Sequence, residues 1–385
     1  VFGPRARFAR GRALAEEGRD DDAVAVFEAF LVDHPDASYR NDVEFALAAS
    51  YRAAGRLDDA GVVYRRVALL NPGSQAETDA ERELAAMGAS LPASSRARAP
   101  RSRHESLERA QVLFDRHRSE QVIAALEPVV RDEPVGTETF CEATYLIGRS
   151  YTKLRRHGDA LGPYLRVVEH CDAEDVRVKA LYNGGRAAWN ADEDAQAHRL
   201  FEQLWTEYAQ NSHADDAYLL AARVALSNGE TARAETLLRE QIDRYPAGDM
   251  LGEAVWLLAQ RSYDAGDYRA VIRFVDAQGS RTGEADGYSR GRLAYFRGRS
   301  LEQLSLRTEA RQAFTAVVRA NPMSYYALLA LTRLNVVDAT AAVALVDELR
   351  VPGPAASGFI EIRPAEAARD PFFRRGTTLL RMGLL

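Results

Sequence analysis

At 385 residues the chain has room for two or three ordinary domains or one extended repeat array, and 46% apolar with 28% charged residues is the balance of a protein that buries a core. Its 50 basic and 56 acidic residues leave a formal charge of −6, which excludes the basic footprint that general nucleic-acid binding requires. No apolar run reaches the length of a bilayer span, and only two lysines occur, Lys153 and Lys179, so nearly all the basic charge is arginine.

The sequence opens at Val1 without a basic-then-apolar leader, and it stops at Leu379 to Leu385 inside an apolar helical pattern. Both ends read as cuts in a longer protein. Between them a phrase recurs: an aromatic or leucine, a turn with Gly, Asp or Asn, an alanine, and a large apolar residue four positions on. Anchored on the alanine it falls at Ala23, Ala60, Val122, Ala160, Ala197, Ala234, Ala270 and Ala310. The residues four on are Phe27, Tyr64, Leu126, Tyr164, Phe201, Leu238, Phe274 and Phe314. From Val122 the spacings are 38, 37, 37, 36 and 40, and prolines follow at Pro35, Pro72, Pro134, Pro246 and Pro322. A small residue lets antiparallel helices approach, a ring one turn later fills the gap beside it, and proline ends the unit. One such hairpin cannot bury its own apolar face, so the pattern predicts an all-α right-handed superhelix of stacked helix-turn-helix repeats without β-sheet.

The phrase resembles the tetratricopeptide repeat, most clearly from Leu47-Ala48-Ala49-Ser50-Tyr51 through Gly55 to Ala60 and from Ile147-Gly148-Arg149-Ser150-Tyr151 to Ala160. Four segments are expected: an N-terminal pair of repeats over 1–89, a solvated Pro/Ser/Arg linker over 90–104, the main array over 105–322, and a helical segment over 323–385 leading toward a further domain.

Chemistry is sparse. No Gly-rich phosphate loop, His-Glu-x-x-His or Cys-x-x-Cys is present, and no cofactor is implied. Cys141, His170 and Cys171 fall at one end of the same hairpin but lack a fourth zinc ligand. Antiparallel helices bring the two cysteines together, so a Cys141–Cys171 disulfide is the expectation, and two unpaired packing thiols are the alternative.

A narrower resemblance comes from Tyr245-Pro246-Ala247-Gly248-Asp249-Met250, Glu253-Ala254-Val255-Trp256, Tyr263 to Tyr268, Arg297-Gly298-Arg299, and above all Ser324-Tyr325-Tyr326-Ala327-Leu328-Leu329-Ala330. Over residues 105–385 these are similar to the superhelical part of bacterial soluble lytic transglycosylases. That resemblance implies a periplasmic, non-catalytic scaffold that shapes access to peptidoglycan and positions a downstream lysozyme-like domain. Two fragments imitate that family's catalytic motifs. Glu105-Ser106 is not followed by Gly-Leu-Met-Gln, and Tyr182-Asn183-Gly184-Gly185 lies within a repeat helix. Neither supplies the cleft that a general acid needs. The chain therefore carries no catalytic residues of its own. A free-standing scaffold that binds an envelope protein is the rival reading, and a cytoplasmic adaptor stands behind both.

Arginine recurs directly after the small residue of the first helices, at Arg12, Arg149, Arg186, Arg223 and Arg299, with Tyr145, Tyr182 and Tyr295 four residues before three of them. Such a ladder of forked donors among rings suits carboxylates on a bound segment. The simpler account pairs each arginine with acids of neighbouring repeats, such as Glu142 or Asp216, and needs no ligand.

Overall fold

The computed structural model describes residues 3–92, 94–278 and 291–350. Among these the chain is all-α, a solenoid of tetratricopeptide-like helical hairpins with no strand. It forms two compact units, Val1–Met250 and Leu251–Leu385. The first holds α1 (Pro4–Glu16), α2 (Asp20–Asp33), α3 (Arg40–Ala53), α4 (Leu57–Leu70), α5 (Gln75–Met87), α6 (Arg103–Asp115), α7 (Ser119–Asp132), α8 (Glu138–Lys153), α9 (His157–His170), α10 (Glu174–Asn190), α11 (Asp194–Glu207), α12 (His213–Ser227) and α13 (Thr231–Arg244). The second holds α14 (Leu251–Asp264), α15 (Tyr268–Gln278), α16 (Arg292–Gln303), α17 (Arg307–Ala320), α18 (Tyr325–Val337) and α19 (Ala339–Arg350). The expectations placed on residues 351–385 lie outside the described residues.

Eight hairpins are closed by the same device. A residue with φ near +60° to +80° ends the first helix: Gly18, Gly55, His117, Arg155, Asp192, Gly229, Gly266 and Ser305. The next residue donates its backbone N–H to a carbonyl five positions back, as Arg56 does to Tyr51 at 2.8 Å and Leu306 to Leu301 at 2.9 Å. This is the Schellman closure of a helix C-terminus. It starts the second helix at a fixed phase, so the residue five after the left-handed one always faces the core. That residue is Ala23, Ala60, Val122, Ala160, Ala197, Ala234 or Ala310, each fully buried.

The rule corrects one register. Five residues after Gly266 stands Val271, not Ala270. Val271 is fully buried, and Val275, rather than Phe274, takes the place one turn on. Two adjacent small apolar residues made the sequence pattern ambiguous there; the turn geometry settles it.

In several hairpins a small residue meets a ring sixteen positions later. A Cβ added to Gly148, Gly185 or Gly298 would lie 2.9, 2.5 or 2.7 Å from the ring of Tyr164, Phe201 or Phe314, and Gly11 is crowded in the same way by Phe27. Ala48, fully buried, stands sixteen before Tyr64. Glycine also explains the Tyr245–Met250 turn. Gly248 leaves room for the buried Asp215 carboxylate, whose Oδ2 accepts the Met250 N–H at 3.3 Å.

The segment expected as a solvated linker is largely exposed but is tied to the preceding helices at a few points. Leu91 and Ser95 are buried, residues 96–98 form a 3-10 turn, and Ala97 sits where a side chain on Gly61 of α4 would be. Arg65 of α4 holds this segment, donating to the carbonyls of Ala99 at 2.5 Å and Pro100 at 3.0 Å. Its Nε and Nη2 each reach the Glu105 carboxylate at 2.8 Å. One buried leucine and one forked cation anchor this otherwise exposed segment. The division between units falls after Met250.

The glycine–ring contact gives a direct test. Gly185→Ala should destabilise the protein by about 1–3 kcal/mol through overpacking against Phe201. In a Phe201→Leu background the same change should cost measurably less in urea denaturation, since the two sites are coupled.

Candidate functional site

In the first unit α6, α8 and α10 border a groove of about 500 Å³. Thr137 caps α8, its hydroxyl accepting from the Phe140 N–H at 3.3 Å. The period of 3.6 then lines up Glu142, Tyr145, Leu146 and Arg149 along the face that forms the groove floor, with Leu107 of α6 and Val176 of α10 at the sides.

Arg149 does not pair with Glu142. Its guanidinium lies over the Phe114 ring at 4.4 Å and, farther off, over that of Tyr145 at 5.9 Å, and no carboxylate among the described residues reaches it. One helical turn further, Lys153 sits 3.9 Å above the same Phe114 ring and donates to the Phe114 carbonyl at 2.8 Å. Arg186 lies over Tyr182 at 5.5 Å, also without an ion pair among the described residues. Asp216, named in the simpler account, instead faces His213 at 3.3 Å, and the His213 ring stacks on Tyr182 at 4.7 Å. The Tyr145 oxygen accepts from the Asn183 amide at 3.0 Å, and burial pushes its hydroxyl above the ordinary tyrosine value. The cations are thus stacked on rings rather than neutralised.

The ladder does not continue uniformly. Arg12 meets Glu16 at 3.7 Å on an exposed surface. Arg223 has a partner of its own. In the second unit Arg299 contacts Glu302 at 3.5 Å, and Glu302 is shared with Arg333 at 3.1 Å. Tyr295 is buried among Phe314 and Tyr326. A larger cleft of about 770 Å³ runs between α17 and α19, but its arginines are already occupied, Arg311 by Asp338 at 3.3 Å and Arg319 by Glu348 at 2.7 Å. Glu142 lines the groove and was named above only as a partner for the arginines, whereas Phe114 and Lys153, which stack beside Arg149, were not taken as site residues from sequence. Lys153 and Glu142 follow the helical period from Arg149, whereas Phe114 comes from another hairpin and leaves no local signal.

Cys141 and Cys171 are joined, with sulfurs 2.08 Å and α-carbons 5.9 Å apart, so the floor helix α8 is cross-linked to the end of α9. Among the described residues no three His, Cys, Asp or Glu side chains gather as a metal site. Glu105 is fixed by Arg65 and by the capping box with Ser102, and these hold its carboxyl down at about 2. A group ionised to that extent has no proton to deliver as a general acid. Tyr182-Asn183-Gly184-Gly185 lies inside α10, with Gly185 spent on the Phe201 contact. No described helix is long and apolar enough to cross a membrane.

Fold and turns together define a tetratricopeptide-like repeat protein. A tetratricopeptide repeat model matches residues 2–38, and a model described as YfiO, an outer membrane lipoprotein, matches residues 174–345, somewhat under half of the chain. Comparison with curated proteins gives no match. Among solved structures the chain is similar to pilF of Pseudomonas aeruginosa, at 13% identity over 59% of this chain and 95% of that one, with a TM-score of 0.38. It is also similar to the C-terminal part of a repeat protein of Cytophaga hutchinsonii, at 13% identity over 84% and 99%, with a TM-score of 0.39. A repeat protein of Parabacteroides merdae shows 13% identity over 87% and 98%, with a TM-score of 0.31.

Two ties can be tested. Arg65→Ala should cost about 1.5–3 kcal/mol near neutral pH by stranding Glu105 and the carbonyls beside it. The Glu105 value is depressed in the fold, so its contribution is complete above the unfolded value near 4.5 and is lost as pH falls toward 2. The difference between wild type and variant in urea melts should therefore shrink across that window. Closing a loop of 30 residues should make the Cys141–Cys171 bond worth roughly 3 kcal/mol. Thermal midpoints should fall on adding dithiothreitol, and the double variant Cys141→Ser/Cys171→Ser should not respond to it.

Proposed function

We propose that this chain is a scaffold of the bacterial cell envelope that holds a segment of a protein partner in the α6–α8–α10 groove. The observation that carries the reading is the pair Arg149 and Arg186: two guanidiniums on neighbouring first helices, each held over a ring and each without a carboxylate among the described residues. A guanidinium stacked on a ring and without a carboxylate keeps donors ready for an incoming acceptor, and Arg149 does so in the lining of the groove. The envelope assignment draws on the similarity of residues 174–345 to an outer membrane lipoprotein family and on a disulfide, which persists in an oxidising compartment.

The lytic transglycosylase reading, with peptidoglycan as partner, rests on residues 324–330, and none of the similarities above is to such an enzyme. Ser324 caps α18, accepting from the Ala327 N–H at 3.1 Å, while Tyr326, Ala327 and Ala330 fill the core. Those needs belong to a repeat's start as such, so the run does not separate the two readings. The scaffold that binds an envelope protein is therefore the one we favour.

A photo-crosslinking residue at exposed Gln111, which lines the groove, should yield a discrete adduct in the envelope fraction of the cells that make this protein. Arg149→Glu should lower its yield at least about tenfold while leaving the circular dichroism melt unchanged. An adduct that forms equally well in the Arg149→Glu protein would overturn the assignment of the groove.

A further inference from the structure

The groove is not simply cationic. Along α8 its floor begins at Glu142, passes Tyr145 and Leu146, and ends at Arg149, with Lys153 one turn beyond. At its sides stand His104 and Glu108 of α6 and Asp175 and Lys179 of α10, charges of both signs. The neighbouring acids are occupied, Glu108 by His104 at 3.7 Å and Asp175 by Lys179 at 2.6 Å. Glu142 finds no cation among the described residues, just as Arg149 finds no carboxylate. They are seven residues apart on one helix, hence about 10 Å by helix rise, which is too far for them to satisfy each other. Between them the surface is apolar. One helix therefore presents an unmatched negative charge, an apolar stretch and an unmatched positive charge in line.

Building on the scaffold reading above, we propose that the groove takes an extended peptide segment carrying a basic residue, an apolar residue and an acidic residue at alternate positions. In an extended chain, residues two apart point to one face, and the outer two of such a triplet stand roughly 13 Å apart. The reach of a lysine and of Arg149 spans the small excess over the helix spacing. The apolar middle residue covers Tyr145 and Leu146, the cation meets Glu142, and the carboxylate meets Arg149 on the side away from its ring. Arg149 is suited to this, because a guanidinium stacked on a ring keeps its edge donors free. Opposite charges at the two ends reject segments with like charges at both, since each would set one charge against its own sign.

Three fluorescein-labelled peptides test this on the full 385-residue chain by fluorescence anisotropy: Ser-Lys-Gly-Leu-Gly-Asp-Ser, its Lys/Lys form and its Asp/Asp form. The mixed peptide should bind about threefold or more tighter than either like-charged one, the scale of exposed charge pairs. Glu142→Arg should transfer the preference to the Asp/Asp peptide, and Arg149→Glu to the Lys/Lys peptide, with melts unchanged. Strongest binding of the Asp/Asp peptide by the wild-type chain would reduce the groove to a plain anion site and overturn the proposal. Equal binding of all three, or none, would overturn it as well. In either case the Gln111 adduct reports independently on the scaffold reading, which falls only if that adduct fails.

Discussion

The contact on which this molecule depends is a large apolar side chain, most often a ring, laid across a small residue sixteen positions earlier in the hairpin. Gly185 against Phe201 and Gly298 against Phe314 show why the separation cannot drift. A left-handed turn residue and its five-residue backbone bond set the phase of the second helix, and the phase brings the ring to the glycine. The four turn positions that hold His117, Arg155, Asp192 and Ser305 at positive φ accept a conformational cost to keep that geometry. Helix separation, the stacking of the next hairpin and the alignment of α6, α8 and α10 all follow from it.

Much of this was legible in the sequence, because hairpin closure uses local residues. The anchor alanines, the rings four residues on and the repeat length are contained within single hairpins, where side-chain chemistry and backbone phase act together. Where two apolar residues adjoin, as at Ala270 and Val271, the sequence offers two phases, and only the turn at Gly266 chooses between them. Residues 90–104 show a different limit. Their composition suits solvent, yet a single buried Leu91 and the arginine of a helix some thirty residues earlier fix them in place. Composition averages over a segment; the tie is made by individual atoms.

The groove was legible only in part for the same reason. Tyr145 and Arg149 share a helix face by spacing, so their proximity could be read directly. Whether an arginine meets a carboxylate or a ring depends on which side chains neighbouring hairpins bring within reach, and the spacing of one helix does not contain that. Phe114 decides it for Arg149, and Glu302 decides it for Arg299, so two arginines in equivalent sequence positions end in opposite states.

The disulfide has a consequence for binding that lies apart from its effect on stability. Cys141 directly precedes Glu142 on α8, so the covalent bond to Cys171 anchors the helix that forms the groove floor. A floor held rigid before any ligand arrives loses little motional freedom when one docks, and the contacts made there appear more fully as affinity. Reduction would loosen that floor without altering a single residue that touches the bound segment. Under the proposed reading of the groove, the redox state of the surroundings would control that pre-organisation.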